Sequence, residues 1–310
     1  MPCYHPKYAR QACPGAVLDF SCNPHMPGEI VQVPCGQCIG CRIDYARQWA
    51  SRCVMEMQYH RSSYFLTLTY DDQHVPVSWT VDHSTGEAFP SLTCRLDDVQ
   101  RWLKRLRFSG QDIRYFGCMD YGAQTFRPHY HFILFGLQLQ DLEPYMQKDP
   151  TYKYFTSPEM DSIWGNGNII IGEANYSTAL YTARYICQKR KGASAQLYKD
   201  FNLEPPRSLM SRRPGIGWQY LQDHPDMMDY KYTSIAGPDG GIRIYPPRYF
   251  RQLEKVADPA AGQERSARNR QFALRIQELK SSQTQLSYWK LLSIEERQAM
   301  TDYKSLRHFF

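Results

Sequence analysis

Residues 127–136 read RPHYHFILFG, and this stretch decides the fold. Apart from its two histidines it has the apolar and aromatic composition of a buried β-strand. Side chains alternate faces along a strand, so His129, His131, Ile133 and Phe135 point one way and Tyr130, Phe132 and Leu134 the other. Both imidazoles therefore stand at neighbouring positions on one face. A lone histidine there belongs to the polar side of a half-buried strand. Two on one face, preceded by Arg127 and Pro128, have the spacing at which neutral imidazoles grip one divalent cation.

The strand just upstream, IRYFGCMDYG (113–122), offers Asp120 as a further ligand if the two run antiparallel. A carboxylate beside two imidazoles suits Mg²⁺ or Mn²⁺ better than an all-nitrogen site does. Glu173, at the end of the short apolar strand NIIIGEAN (168–175), is a second candidate. The segment YSTALYTARYICQKRKG (176–192) then reads as a helix with Lys189, Arg190 and Lys191 in its last turn and Gly192 at its end. At about 100° per residue, Tyr181, Tyr185 and Lys189 share one face. An aromatic stripe alone reads as core packing. Beside a histidine pair it reads as nucleophiles, because a phenol with a pKa near 10 attacks only where a cation or a metal assists it. Two tyrosines one turn apart allow two successive transfers, and Lys189 would lower a phenol's pKa or sit beside the phosphate.

Elsewhere the pattern alternates. CRIDYARQWASRCVMEMQYH (41–60) has helical periodicity and a basic face. SSYFLTLTYDD (62–72) is a strand with Thr67 and Thr69 on one face and Leu66, Leu68 and Tyr70 on the other. A loop rich in Pro, Ser and Thr leads to the helix LDDVQRWLKRLRF (96–108), acidic at its start and basic at its end, as the macrodipole favours. Residues 141–166 read as an insertion with some helix. Residues 196–255 hold Pro-rich turns and a hairpin around GPDGG, and residues 259–301 are helical and charged.

Composition bounds the function. With 310 residues the chain can bury a sizeable core, and a net charge of +6 permits an anionic partner without demanding one. Twenty-three tyrosines, often interleaved with arginine, suit stacking on single-stranded nucleic acid. No apolar run approaches the roughly 20 residues that span a bilayer, and MPCYHPKYAR lacks a signal peptide's apolar core, so an intracellular protein without membrane contact is expected.

Six of ten cysteines fall in the first 41 residues: Cys3, Cys13, Cys22, Cys35, Cys38 and Cys41. PCGQCIGC contains two successive C-x2-C steps, which in a reducing compartment read as ligands for tetrahedral zinc. Cys35, Cys38 and Cys41 would supply three, and Cys3, Cys22 or His5 the fourth. Cys53, Cys94, Cys118 and Cys187 lie in periodic segments and read as small core residues.

Taken together, YFLTLTY (64–70), RPHYHFILF (127–135) and LYTARYICQKRKG (180–192) occur in the order of the three motifs of the HUH endonucleases: apolar strand, His-hydrophobic-His and tyrosine helix. With VPCGQCIGCRIDYARQWASR (33–52) and RYFGCMDYG, the chain resembles the replication initiation proteins of gokushoviruses, single-stranded DNA phages of the Microviridae, over about residues 1–250. The resemblance implies a rolling-circle initiator in the host bacterial cytoplasm. It would nick single-stranded DNA at the origin, stay joined to the 5′ phosphate and re-ligate the finished circle, with host helicase or polymerase as further partners. It assigns His129 and His131 as metal ligands, Tyr185 as the principal tyrosine and Tyr181 as the second. At position 120, where such proteins often carry Glu, this chain has the shorter Asp. Arg127, Arg190 and Lys191 are expected on DNA phosphates.

The expected fold is α+β: a central antiparallel sheet, the histidine strand near its middle, helices on one face, a Cys-rich N-terminus and a helical C-terminal extension. The expected segments are 1–60 (Cys-rich segment and helix), 61–195 (nuclease core), 196–255 (accessory region) and 256–310 (extension). A relaxase or transposase of the same superfamily and a non-catalytic zinc-dependent single-strand binder are the competing readings.

Overall fold

The computed structural model describes all residues except 1–2, 14–15, 22–24, 26, 83, 123–124, 146–152, 189–194, 238–239 and 306–310. The chain divides into two units, residues 46–245 and residues 1–45 with 246–310. It begins with an antiparallel hairpin, β1 (Lys7–Gln11) and β2 (Glu29–Val33), followed by helix α1 (Ile39–Met57). Then come β3 (Ser63–Thr69), β4 (Val77–Val81), β5 (Ala88–Leu92), α2 (Leu96–Phe108), β6 (Arg114–Tyr121) and β7 (Pro128–Phe135). The insertion holds β8 (Glu143–Pro144), β9 (Tyr154–Thr156) and α3 (Pro158–Trp164). β10 (Ile169–Glu173), α4 (Tyr176–Gln188), α5 (Gln196–Asp200), β11 (Ser208–Met210), α6 (Trp218–Asp223), β12 (Thr233–Gly237) and β13 (Gly240–Ile244) complete the larger unit. Helices α7 (Arg248–Ala257), α8 (Pro259–Ser282) and α9 (Tyr288–Ser305) form the chain's end.

Seven strands in the order β11-β6-β7-β3-β10-β9-β8 make the central sheet, each antiparallel to its neighbours. The histidine strand β7 lies between β6 and β3, and seven of its eight residues are buried, as a strand covered on both sides requires. Tyr130, Phe132 and Leu134 pack with Leu66 and Leu68 of β3 against Val99, Trp102, Leu103 and Leu106, the apolar stripe of α2. Ile133 and Phe135 pack with Phe65 and Phe116 on the other side, against Ala46, Trp49, Ala50 and Cys53 of α1 and Ala179 and Ala183 of α4. Helices therefore cover both faces, not one: each of the two alternating sets of β7 is apolar and each needs a cover. Gly117 is paired with Phe132, and a Cβ on it would overlap that ring, so the glycine makes room for the larger side chain.

The β4–β5 hairpin lies in a stretch whose composition read as loop, and the β1–β2 hairpin in one for which no strand was expected. Pro, Ser and Thr obscure the short alternation of Val77, Trp79 and Val81 in the β4–β5 hairpin, and β1 and β2 are largely exposed. The GPDGG hairpin is present as β12–β13, its turn residues 238–239 lying outside the described residues. Cys53, Cys94 and Cys118 are buried core residues, while the side chain of Cys187 lies outside those described. No helix among the described residues is long and apolar enough to cross a membrane.

Candidate active site

The sheet register sets the site in rows. Asp120 of β6, His129 of β7 and Thr69 of β3 stand side by side; Cys118, His131 and Thr67 form the next row, and Phe116, Ile133 and Phe65 the third. The face thus changes from polar to apolar along the strands, and the two imidazoles sit at the boundary, their rings 4.8 Å apart. A cleft of about 490 Å³ lined by Thr69, Asn168, Ile170, Tyr145 and Asp161 opens beside this end of the sheet.

Helix α4 lies over that boundary. Asn175 starts it with reciprocal bonds: its Oδ1 accepts from the Thr178 amide at 3.0 Å, and its amide donates to Thr178 Oγ1 at 2.9 Å. Ala179, Thr182 and Ala183 are fully buried, and such small residues let the helix approach the sheet closely; the Cys118 thiol donates to the Thr182 carbonyl at 3.4 Å. Tyr181 and Tyr185, one turn apart, are thereby laid on the histidines. The Tyr185 ring stacks on His131 with centroids 4.4 Å apart and 23° between planes, and meets His129 edge-on at 6.1 Å. Tyr181 meets His131 at 5.2 Å and Phe65 at 5.9 Å, both edge-on. The Tyr185 hydroxyl donates a short hydrogen bond to the Tyr181 hydroxyl.

The second ring nitrogens show which atoms are free. His129 Nδ1 lies 3.2 Å from the Arg127 carbonyl, which only accepts, so Nδ1 carries the hydrogen and Nε2 keeps its lone pair. His131 Nδ1 lies 3.0 Å from Thr67 Oγ1, and its Nε2 is buried with no hydrogen-bond partner among the described residues. Asp120 Oδ2 is 3.8 Å from His129 Nε2, too far for a direct bond. Burial pushes the Asp120 carboxyl up to about 7. Burial also holds His129 below the usual imidazole range, and burial and then the charge of His129 hold His131 well below it. Neutral imidazoles beside a carboxylate that has no Lys or Arg partner among the described residues form a donor set that fits a divalent ion. The set is open: the gathered groups of three or more such donors among the described residues comprise the cysteines alone. Burial raises the phenols of both Tyr181 and Tyr185.

Other anticipated residues lie elsewhere. Glu173 is level with Leu134 across β3, about 10 Å along the strands from His131 at 3.3 Å per residue, and does not join the site. Arg127 donates to the Asp72 carboxylate and the Tyr70 carbonyl, both at 2.7 Å, and so pins the turn before β7. Lys189, Arg190 and Lys191 lie outside the described residues. Thr67 was legible only as a member of the right strand face; its bond to His131 was not. Glu56 went unremarked, although it is the buried anchor of α1: it accepts from the Gly217 amide at 2.6 Å and from His60 at 3.3 Å, and forms a short ion pair with Arg114.

A second cluster consists of Cys3, Cys35, Cys38 and Cys41, whose sulfurs all lie within 4.8 Å of one another and could hold a metal ion such as zinc. Cys3 takes the fourth place left open between Cys3, Cys22 and His5. His5 instead pairs with Glu296 at 2.6 Å, and Cys22 lies outside the described residues.

The family described as Replication-associated protein ORF2/G2P matches residues 63–190, from the start of β3 to the end of the tyrosine helix. The replication-associated protein ORF2 of Spiroplasma virus 4 is 32% identical, over 72% of this chain and 68% of its own length. The chain belongs to the replication-associated protein family. The VP4 protein of Bdellovibrio phage phiMH2K is 28% identical over 82% of this chain and 77% of its own. The ORF4 protein of Chlamydia phage 1 is 28% identical over 71% and 53%. No solved structure matches the chain. In this replication-associated protein the matched span carries both histidines, Asp120 and both tyrosines, whereas the cysteine cluster lies before it.

Proposed function

We propose that this replication-associated protein initiates rolling-circle replication of a phage genome as a metal-dependent, site-specific endonuclease and ligase for single-stranded DNA. The observation that carries the reading is the stacking of Tyr185 on His131, with the Tyr181 hydroxyl bonded to that of Tyr185. Core packing alone does not account for two phenols placed over two imidazoles that keep bare nitrogens. Mg²⁺ or Mn²⁺ held by His129 Nε2, His131 Nε2 and Asp120 would polarise the scissile phosphate and offset charge in the transition state.

The side chains supply the rest. The Arg127 carbonyl holds His129 in the tautomer that presents Nε2, and the Thr67 hydroxyl bonds Nδ1 of His131 and so orients that ring. Buried phenols are neutral at rest, so Tyr185 becomes a nucleophile only when a phosphate is in place beside the ion, which suppresses stray reactions. The Tyr185 oxygen bonds to phosphorus as the bond from phosphorus to the 3′ oxygen breaks. The phenol loses its proton and the departing oxygen gains one, leaving a free 3′ hydroxyl and a 5′ phosphotyrosine. Tyr181, one turn away, makes the second transfer when the replicated origin returns, and re-joining by the 3′ hydroxyl closes the circle. Origin single strand is the substrate, host helicase or polymerase the further partner, and the host bacterial cytoplasm the setting.

The test is incubation with a candidate origin strand and Mn²⁺. A covalent protein–DNA adduct is expected, lost with chelator. No adduct and no nick on any segment of the cognate genome would refute the proposal.

A further inference from the structure

Cys35 and Cys38 lie in the turn entering α1 and Cys41 in its first turn, and Cys3 reaches them from the start of the chain. Cys35 and Cys41 sulfurs are 4.0 Å apart, and those of Cys3 and Cys38 3.9 Å. Four sulfurs at about 2.3 Å from a zinc ion define a tetrahedron with edges of about 3.8 Å, whereas a disulfide brings sulfurs to about 2.05 Å. The spacing is that of ligands around one ion.

Backbone amides point at the sulfurs as well. The Cys35 amide donates to Cys3 Sγ at 3.2 Å, the Gln37 and Cys38 amides to Cys35 Sγ at 3.4 and 3.3 Å, and the Tyr4 amide to Cys38 Sγ at 3.4 Å. Such donors favour the thiolate, the form that binds metal. The site also sits in the core that needs it. Tyr4, Cys38, Leu292 and Ala299 form a small buried cluster, with Tyr288 and the other three cysteines packed around it. Around it, His5 bonds Glu296 and Tyr8 meets Trp289 at 6.2 Å, while most of α8 is exposed. So little buried apolar surface does not offset the entropy of ordering a chain segment from each end.

We propose that these four cysteines hold one structural Zn²⁺, which ties the N-terminal residues to the turn entering α1 and so completes the small core on which helix α9 packs. Metal-binding free energy is then folding free energy for this unit. The unit is a separate matter from DNA cleavage, since the cysteines lie outside the residues that the family match and the proposed chemistry use.

Metal analysis of the purified full-length chain tests it. One equivalent of zinc is expected, retained in a His129→Ala/His131→Ala variant and in a variant of the exposed Cys13→Ser, and lost in Cys35→Ser/Cys41→Ser. In the wild-type chain, stripping zinc with a thiol-reactive mercurial should raise amide exchange in residues 288–305, and Zn²⁺ added back with excess thiol should restore protection. Cobalt grown into the chain should show the intense thiolate charge-transfer band of a four-sulfur tetrahedral site. Zinc absent from the wild type, disulfides among the four, iron in place of zinc, or unchanged protection of 288–305 after stripping would each overturn the proposal.

Discussion

Thr67 Oγ1 lies 3.0 Å from Nδ1 of His131, on the strand hydrogen-bonded to the histidine strand. Where this hydroxyl accepts from Nδ1–H, Nε2 keeps its lone pair. His129 is held the same way by the Arg127 carbonyl. The sheet therefore does more than display two histidines; it gives each Nδ1 a hydrogen-bond partner, and for His129 that partner fixes the tautomer.

Thr67→Val keeps the shape and removes that bond. Outer partners of metal-bound histidines contribute about 10- to 100-fold in metal affinity, so the Mn²⁺ needed for half-maximal cleavage should rise by about that factor. Binding of an origin oligonucleotide should not change. A metal titration of cleavage decides it; an unaltered Mn²⁺ requirement would exclude the role.

Replacing His129 or His131 with alanine should remove cleavage and adduct formation while largely sparing DNA binding. Affinity for single strands comes mainly from phosphate contacts and stacking, neither of which uses the imidazoles. Parallel gel-shift and nicking assays separate the two. A double alanine variant that still cleaves fully would sink the metal-site reading.

The tyrosines should divide the labour. Tyr185 lies nearer His131 than Tyr181 does, 4.4 against 5.2 Å, and also meets His129, whereas the Tyr181 ring leans on Phe65. Tyr185→Phe should therefore prevent the first covalent adduct, and Tyr181→Phe should permit nicking but impair the second transfer. Mass spectrometry of the nucleotide-linked peptide reports the residue used. Label on Tyr181 in the wild type, with Tyr185→Phe fully active, would reverse the order.

Glu56 should set an acid limit to stability. Burial pushes its carboxyl up, but the bonds from His60 and the Gly217 amide and the charge of Arg114 outweigh that and leave it below its ordinary value of 4.5. A carboxylate with a depressed folded pKa contributes stability that is fully present above the unfolded value and is lost as pH falls through the folded one. Glu56→Ala should cost about 3 kcal/mol at neutral pH, because it strands a partly buried arginine. The gap to wild type should shrink below about pH 4.5, where wild type loses the same interaction. Urea midpoints measured against pH check both the size and the sign.

The sequence by itself determined the central strands and helices and the residue types of the candidate site. Alternation along β7 was readable because side-chain period is a local property, and so were the face shared by His129 and His131 and that shared by Tyr181 and Tyr185. Helix α2 was bounded correctly because its amphipathic stripe and end charges are local too. Short exposed hairpins were not legible, since β4 and β5 have too few residues and too little burial to stand out from turn composition. Only the tertiary structure decided who meets whom. Strand register placed Asp120 beside His129, gave Thr67 to His131 and left Glu173 at the far end. Small residues on α4 set the depth at which Tyr185 stacks on His131. Convergence of the chain's start on the turn before α1 made Cys3 the fourth member of the cluster. Those outcomes rest on contacts between segments far apart in sequence, and their energies depend on packing that no local period encodes.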